Sequence, residues 1–299
     1  MHLSVSVGVP AYNEQNNILK LLTALLNQKT KKIKIEEIIV VSSGSTDKTD
    51  LIVEELSQKE PRIKFIRQTK REGKASAINE FLKVACNDIL VLESADTIPD
   101  EGTIEQLSLP FVDSSIGMAG AHPVPMNDEN SFMGYTSHLL WALHDKLALR
   151  SPKCGELVAF RRVFESIPKD TAVDEAWIEH EVEKRHYRTI YVSDAQVHNK
   201  GPETIGDFLK QRRRITCGHL DLRKKTKFQV STANVSSILF TLVEVLPTRK
   251  PEQLFFFVGA FALEGLSRFL GTYDYYKKKN KHSIWEISTS TKSLDLNVV

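Results

Sequence analysis

Asp96 closes the run Leu90-Val91-Leu92-Glu93-Ser94-Ala95-Asp96, so a carboxylate stands just beyond an apolar segment with the composition of a buried strand. In open parallel sheets, ligands bind outside the carboxyl ends of the strands. A hard divalent cation bridging a diphosphate requires an oxygen ligand at that rim. An isolated Asp at such a place is as readily a turn former, but this one has company. Ala11-Tyr12-Asn13-Glu14 and Ser43-Gly44-Ser45-Thr46-Asp47 also follow apolar runs, and Asp174-Glu175 offers a carboxylate pair. Such a pair can supply a general base, or can simply suit the first turn of a helix. Gly44 and Gly73 permit close backbone approach to phosphate, and helix N-termini present free N–H groups to it. No GxGxxG or GxxxxGK[ST] occurs, so the nucleotide implied is held in another way.

The elements that must position these residues are legible over the first hundred positions. Leu3, Val5, Val7 and Val9 alternate with smaller residues in a strand period that Pro10 is expected to end. Asn13 is a plausible cap for a helix striped by Ile18, Leu19, Leu21, Leu22, Leu25 and Leu26. Ile38-Ile39-Val40-Val41 is continuously apolar, as parallel strands buried on both faces are. A third unit runs from Ile63 through Gly73-Lys74 into a helix carrying Ala77, Ile78, Phe81 and Leu82, and Ile89 to Leu92 makes a fourth strand. The order βαβαβαβ gives an α/β, mostly parallel sheet flanked by helices.

The chain has 299 residues, 41% of them hydrophobic, enough for a covered sheet and a large core. A formal net charge of +2 excludes a strong global field, and nucleic acid is not an expected partner. Three widely spaced cysteines give neither a disulfide framework nor a zinc pattern, and are read as structural thiols in a reducing compartment. The opening residues enter a strand directly without a charged and apolar leader, so the catalytic part is expected in the cytoplasm.

Taken together, Val9-Pro10-Ala11-Tyr12-Asn13-Glu14, Ser43 to Thr49, Gly73-Lys74 to Asn79, and the Asp96 turn with Thr97-Ile98-Pro99 resemble family 2 glycosyltransferases in order and spacing. These are GT-A fold (Rossmann-like) enzymes that transfer a sugar from a nucleotide diphosphate sugar. Gly155 to Arg161, Val173-Asp174-Glu175 and Gln211-Arg212-Arg213-Arg214-Ile215 extend the resemblance over about residues 3–220. It implies that Pro10, Ala11, Tyr12, Glu14, Ser43 and Lys74 line the donor pocket. Asp96 would ligate Mg²⁺ or Mn²⁺, with His198 as a second ligand, and Glu175 would be the general base, Asp174 being the near-equal alternative. Gln211 and Arg214 match a QxxRW-like signature, in which Arg214 would meet diphosphate oxygens. The chain departs from the family pattern at Ser42 and Ser43, where two Asp are usual, and at Ser94, where Asp-x-Asp has become Ser-x-Asp. Glu93 lies one residue too early to replace the missing carboxylate, since adjacent strand side chains point to opposite faces. Ile215 stands where the signature has Trp, removing a stacking platform and favouring single addition over processive polymerisation.

Past residue 220, basic and apolar blocks alternate: Arg223-Lys224-Lys225, Val235 to Leu246, Arg249-Lys250, Leu254 to Leu270, Lys277-Lys278-Lys279 and Lys281. The expected organisation is a GT-A domain over 1–222, membrane-associated helices over 223–287 and a tail over 288–299. Amphipathic helices at an anionic membrane surface fit this pattern; a packed helix pair or a dimer interface is the alternative. The expected activity is metal-dependent, inverting, non-processive transfer to a lipid-linked or surface glycan acceptor at the cytoplasmic face of a membrane. A catalytically inactive GT-A domain that binds a nucleotide or serves as a scaffold is the rival, motivated by Ser42, Ser43 and Ser94.

Overall fold

Strand alternation sorts the core. In β1 (Leu3–Ala11), Val5, Val7 and Val9 all enter one apolar layer, joined by Ile38 and Val40 of β2 (Ile33–Ser43) and by Ile89 and Val91 of β4 (Ile89–Glu93). The intervening Ile39, Val41, Leu90 and Leu92 enter a second layer on the other face. A strand that buries both faces must be apolar at every position, which explains the unbroken runs. α1 (Ile18–Leu26), α2 (Thr49–Lys59) and α4 (Thr103–Ser108) cover the first layer; α3 (Lys74–Val84) and α6 (Asp174–Glu183) cover the second. Gly8 is needed under α3, because a Cβ there would lie 2.5 Å from the Phe81 ring.

The computed structural model describes residues 2–228 and 251–277, together with Thr241, Glu244, Thr291 and Leu294. Eight strands form one sheet in the order β3-β2-β1-β4-β7-β6-β8-β5, the others being β3 (Ile63–Gln68), β5 (Thr97–Pro99), β6 (Ile116–Pro125), β7 (Leu157–Arg161) and β8 (Arg188–Asn199). β1 to β4 are mutually parallel, so their carboxyl ends share one rim. β7 runs antiparallel to β4 and β6, while β5 is antiparallel to β8. The chain thereby brings later segments back to the rim from the opposite direction.

Two local expectations change. Pro10 does not end β1, which continues to Ala11. Asn13 does not cap α1, which begins at Ile18 after Asn17. With φ of 52°, Asn13 instead ties two strand exits together: Thr46 N donates to its Oδ1 at 2.8 Å and its own N donates to Ser45 Oγ at 3.1 Å. Asn tolerates the left-handed region, and its short amide is suited to such a bridge.

α7 (Ile205–Thr226) continues through Leu222, and α8 (Pro251–Tyr276) packs on α7 and on α5 (Phe132–Arg150). Arg212 pairs bidentately with Glu264, Arg268 donates to the same carboxylate at 2.7 Å, and Arg213 Nε donates to Asp274 at 2.7 Å. Apart from Thr241 and Glu244, the apolar block Val235 to Leu246 lies outside the described residues, as does the tail from Ser288 apart from Thr291 and Leu294. All three cysteines are free thiols.

Candidate functional site

The rim of the parallel strands opens into a cavity of about 1000 Å³. Its wall includes Pro10, Ala11, Tyr12 and Glu14 from the β1 exit, Ser43 from β2, Lys74 at the start of α3, and Asp96 beyond β4. Asp174 and Glu175 reach it from the first turn of α6, and Gln211 and Arg214 from α7. The fold thus brings together every site residue expected from the sequence except His198.

His198 lies on β8 with its side chain turned to Asp100, Nε2 to Oδ1 at 2.8 Å, and takes no part in the cavity wall. Its neighbours Asn199 and Lys200 do line the cavity. Alternation along β8 turns His198 and Asn199 to opposite faces, and Lys200 lies beyond the end of the strand.

At the donor end, the Arg71 guanidinium lies 4.1 Å from the centre of the Tyr12 ring. Arg71 also lines the cavity, and sequence reasoning had not singled it out. Asn17 Nδ2 donates to Glu14 Oε2 at 3.1 Å, fixing one of its carboxylate oxygens. Ser43 Oγ accepts from the backbone N–H of Glu72 at 2.9 Å and of Gly73 at 3.1 Å, so this serine shapes the loop that delivers Lys74. Gly44, at φ of 67°, sits where a Cβ would meet the Lys70 backbone at 2.5 Å.

Lys74 is held between two carboxylates, with Nζ 2.8 Å from Asp174 Oδ2 and 2.8 Å from Glu175 Oε1. Burial disfavours its charge, but the two acids outweigh it and keep the amine protonated. The same contacts split the acid pair. Burial and then the Glu175 charge push Asp174 above its ordinary value, whereas Lys74 overcomes burial and holds Glu175 below its own. Arg214 lies deep in the wall. Burial pulls it down to about 10 against the opposing field of Asp174, Glu175, Glu156 and Asp96.

A further acid, Glu156, also lines the cavity and had been noted only as part of the Gly155 to Arg161 segment. Its φ is 58°, at the centre of a three-residue turn closed by Leu157 N donating to Gly155 O at 2.8 Å. Asn199 Nδ2 donates to Glu156 Oε1 at 3.2 Å. Burial and then Asp96 push the Glu156 carboxyl up to about 7. Glu93 is wholly buried, accepts from the Thr97 hydroxyl, and is pushed up to about 8 chiefly by burial. It is not part of the cavity wall.

The far end of the cavity is built differently. Trp141 and His144 of α5, Lys153 of the loop before β7, Arg212 and His219 of α7, and Glu264 and Arg268 of α8 form it. Burial, then Arg212 and Arg268, lower Lys153 to about 8. Glu179, also in the wall, is raised to about 8, mainly by burial.

Comparison with known proteins agrees with this geometry. Residues 6–167 match the model of "Glycosyl transferase family 2". Poly-beta-1,6-N-acetyl-D-glucosamine synthase of Staphylococcus aureus is 27% identical over 220 residues, covering 69% of this chain and 52% of the synthase. The chain therefore spans about half the length of the curated relatives it matches. Mannosyltransferase PcManGT of Pyrobaculum calidifontis, solved with GDP-Man and Mn²⁺, superposes with a TM-score of 0.66 at 19% identity, covering 94% of this chain and 89% of that one. TarS 1-349 of S. aureus with UDP-GlcNAc gives 0.51 at 18% identity, covering 92% of each. The sheet order, the rim cavity and the family match over more than half of the sequence agree: the chain has the GT-A fold and belongs to glycosyltransferase family 2.

Proposed function

We propose that the protein transfers a sugar from a nucleotide diphosphate sugar to a lipid-linked or surface glycan acceptor, one unit at a time and with inversion, at the cytoplasmic face of a membrane. The observation that carries this reading is the meeting, in one cavity, of the Tyr12–Arg71 platform, Asp96 and the Lys74-clamped pair Asp174-Glu175.

The nucleoside stacks against Tyr12, whose ring is fixed from one side by Arg71, while Glu14 accepts from ribose hydroxyls. Solved neighbours carry either GDP-Man or UDP-GlcNAc, and both bases remain candidates here. Ser43 retains a hydroxyl for a base edge, though its oxygen already accepts two backbone N–H groups. Arg214 faces the diphosphate from α7. The donor set at Asp96 is all oxygen, which suits Mg²⁺ or Mn²⁺. A divalent cation bound there would offset the charge gathering on the departing diphosphate.

Inversion needs one base on the acceptor hydroxyl. The splitting of the acid pair favours Glu175 for that role: its carboxyl stays ionised, while Asp174 sits deeper and holds its proton more readily. Lys74 orients both. The far end receives the acceptor, and because Arg212 and Arg268 share the single Glu264 carboxylate beside Lys153, the net positive charge there suits one linked through phosphate. The acceptor reaches that end from a membrane surface because α8, which lines it, turns an apolar stripe outward.

The test is a donor panel. Incubated with UDP- and GDP-sugars, the full chain is expected to release the nucleoside diphosphate slowly by hydrolysis, and only when Mn²⁺ or Mg²⁺ is present. Binding of nucleotide without release from any donor, in the presence of membrane extract as acceptor source, would establish the non-catalytic scaffold instead.

A further inference from the structure

The register between β4 and β7 bears on the carboxylate missing at Ser94. The two strands run antiparallel with Glu93 paired to Leu157, so the next positions outward are Ser94 on one side and Glu156 on the other. The turn at Gly155-Glu156-Leu157, with Glu156 at positive φ, then throws this side chain into the cavity that Asp96 lines. A non-glycine residue at such a φ is strained. Glycine, which would remove that strain, precedes it in the sequence and does not occupy it.

A second observation comes from β8. Asn199 pairs with Thr97 across the β5–β8 ladder, which brings it beside the Asp96 turn. It is 5% exposed and lines the same cavity. Its Nδ2 is used on Glu156, yet its Oδ1 is buried with no hydrogen-bond partner among the described residues. A buried amide oxygen left unsatisfied destabilises the fold. An amide oxygen is also an ordinary ligand for a hard cation.

We infer that Glu156 replaces, from across the sheet, the carboxylate absent at Ser94, and that Asp96, Glu156 and the Asn199 amide oxygen together form the divalent-cation site. This rests on the donor-binding reading above and adds to it the ligand set of this particular chain. The Asn199 Nδ2 contact to Oε1 orients the carboxylate, as outer hydrogen bonds orient metal ligands. The remaining coordination positions fall to diphosphate and water oxygens. His198, turned to Asp100, has no part in the site.

The test measures Mn²⁺ by its free-ion EPR signal with the full-length protein and saturating UDP or GDP, whichever the protein binds in separate metal-free calorimetry. Glu156→Gln and Asp96→Asn are each expected to weaken Mn²⁺ binding roughly tenfold or more. Adding Ser94→Asp to Glu156→Gln is expected to restore most of the loss, since the carboxylate is returned to the facing position. If Glu156→Gln is poorly folded by circular dichroism, Asn199→Asp provides an independent measurement: a charged oxygen in place of the amide should tighten Mn²⁺ severalfold. Wild-type Mn²⁺ affinity in Glu156→Gln, failure of Ser94→Asp to rescue it, or an unchanged affinity in Asn199→Asp would overturn the assignment. Nucleotide binding without any Mn²⁺ binding would overturn the cation site while sparing the donor pocket. Absence of both would overturn the donor reading as well.

Discussion

Lys74 is where stability and chemistry meet at the scale of single residues. Removing one partner of a buried ion cluster leaves uncompensated charge and typically costs about 3–5 kcal/mol. Lys74→Met is therefore expected to lower the denaturation midpoint markedly, and Lys74→Met with Asp174→Asn to recover part of it; a midpoint unchanged in the single variant would show that the amine does not hold the pair. Glu175→Gln should reduce kcat by more than about a hundredfold with donor affinity little altered. The same loss in Asp174→Asn but not in Glu175→Gln would move the base by one residue. Glu93 makes a pH prediction. Its folded carboxyl titrates at about 8 against an ordinary 4.5, so the folded state holds the proton more tightly. The stability this confers is full below pH 4.5 and is lost as pH rises to about 8. Glu93→Gln, which keeps an acceptor for Thr97, should melt close to the wild type at pH 5 and gain up to a few kcal/mol by pH 8.5 in metal-free buffer. A melting difference independent of pH would refute the assignment.

At the scale of elements, legibility followed burial and direction. β1 to β4 were readable because parallel strands covered on both faces carry unbroken apolar runs, and their exits carried recognisable polar residues. β6 (Ile116–Pro125) is built of Gly, Ala and Pro as much as of branched residues, and β8 is largely half-exposed, so neither shows a period that stands out. The residues at those exits that line the cavity were accordingly legible in the sequence. Arg71, Glu156 and Asn199 were not, because their relevance depends on packing and cross-strand register. His198 and Asn199 show the limit most sharply: adjacent residues on one strand, one turned to Asp100 and the other into the cavity, with nothing in the sequence to say which. Turn geometry is more predictable. Gly44→Ala places a Cβ at φ of 67° and 2.5 Å from the Lys70 backbone. It should cost at least about 1–2 kcal/mol and weaken nucleoside diphosphate binding, because this turn abuts the loop that carries Arg71 and Gly73. A variant with native melting and native nucleotide affinity would show that the loop adapts freely.

The whole molecule is organised around the two faces of α8. Glu264 and Arg268 line the cavity, and Asp274 pairs with α7, so one side of this helix belongs to the site. Leu254, Phe255, Val258, Leu266, Phe269, Tyr273 and Tyr276 are exposed. At about 100° per residue they fall within an arc of roughly 120°. Ala260, Leu263 and Gly271 lie on other faces and pack inward. The segment Gln253–Tyr276 is long and apolar enough to cross a bilayer, yet its ion pairs to α7 fix it along the domain, and only 28% of its most apolar window is buried. A core helix would be covered, whereas a helix lying in a membrane interface keeps such a stripe open to lipid. Lys277, Lys278, Lys279 and Lys281 follow directly, where each basic residue near an anionic surface adds about 1 kcal/mol. The full chain should then sediment with anionic liposomes and be released only in part by high salt, because salt screens the lysines but not the apolar contact. Phe255→Ser with Phe269→Ser should abolish the salt-resistant fraction and leave nucleotide binding intact, since neither ring faces the cavity. If the protein stays in the supernatant with anionic liposomes at low salt, and sedimentation velocity shows a dimer that the double substitution dissociates, the stripe belongs to a second copy of the chain, and the acceptor need not come from a lipid surface.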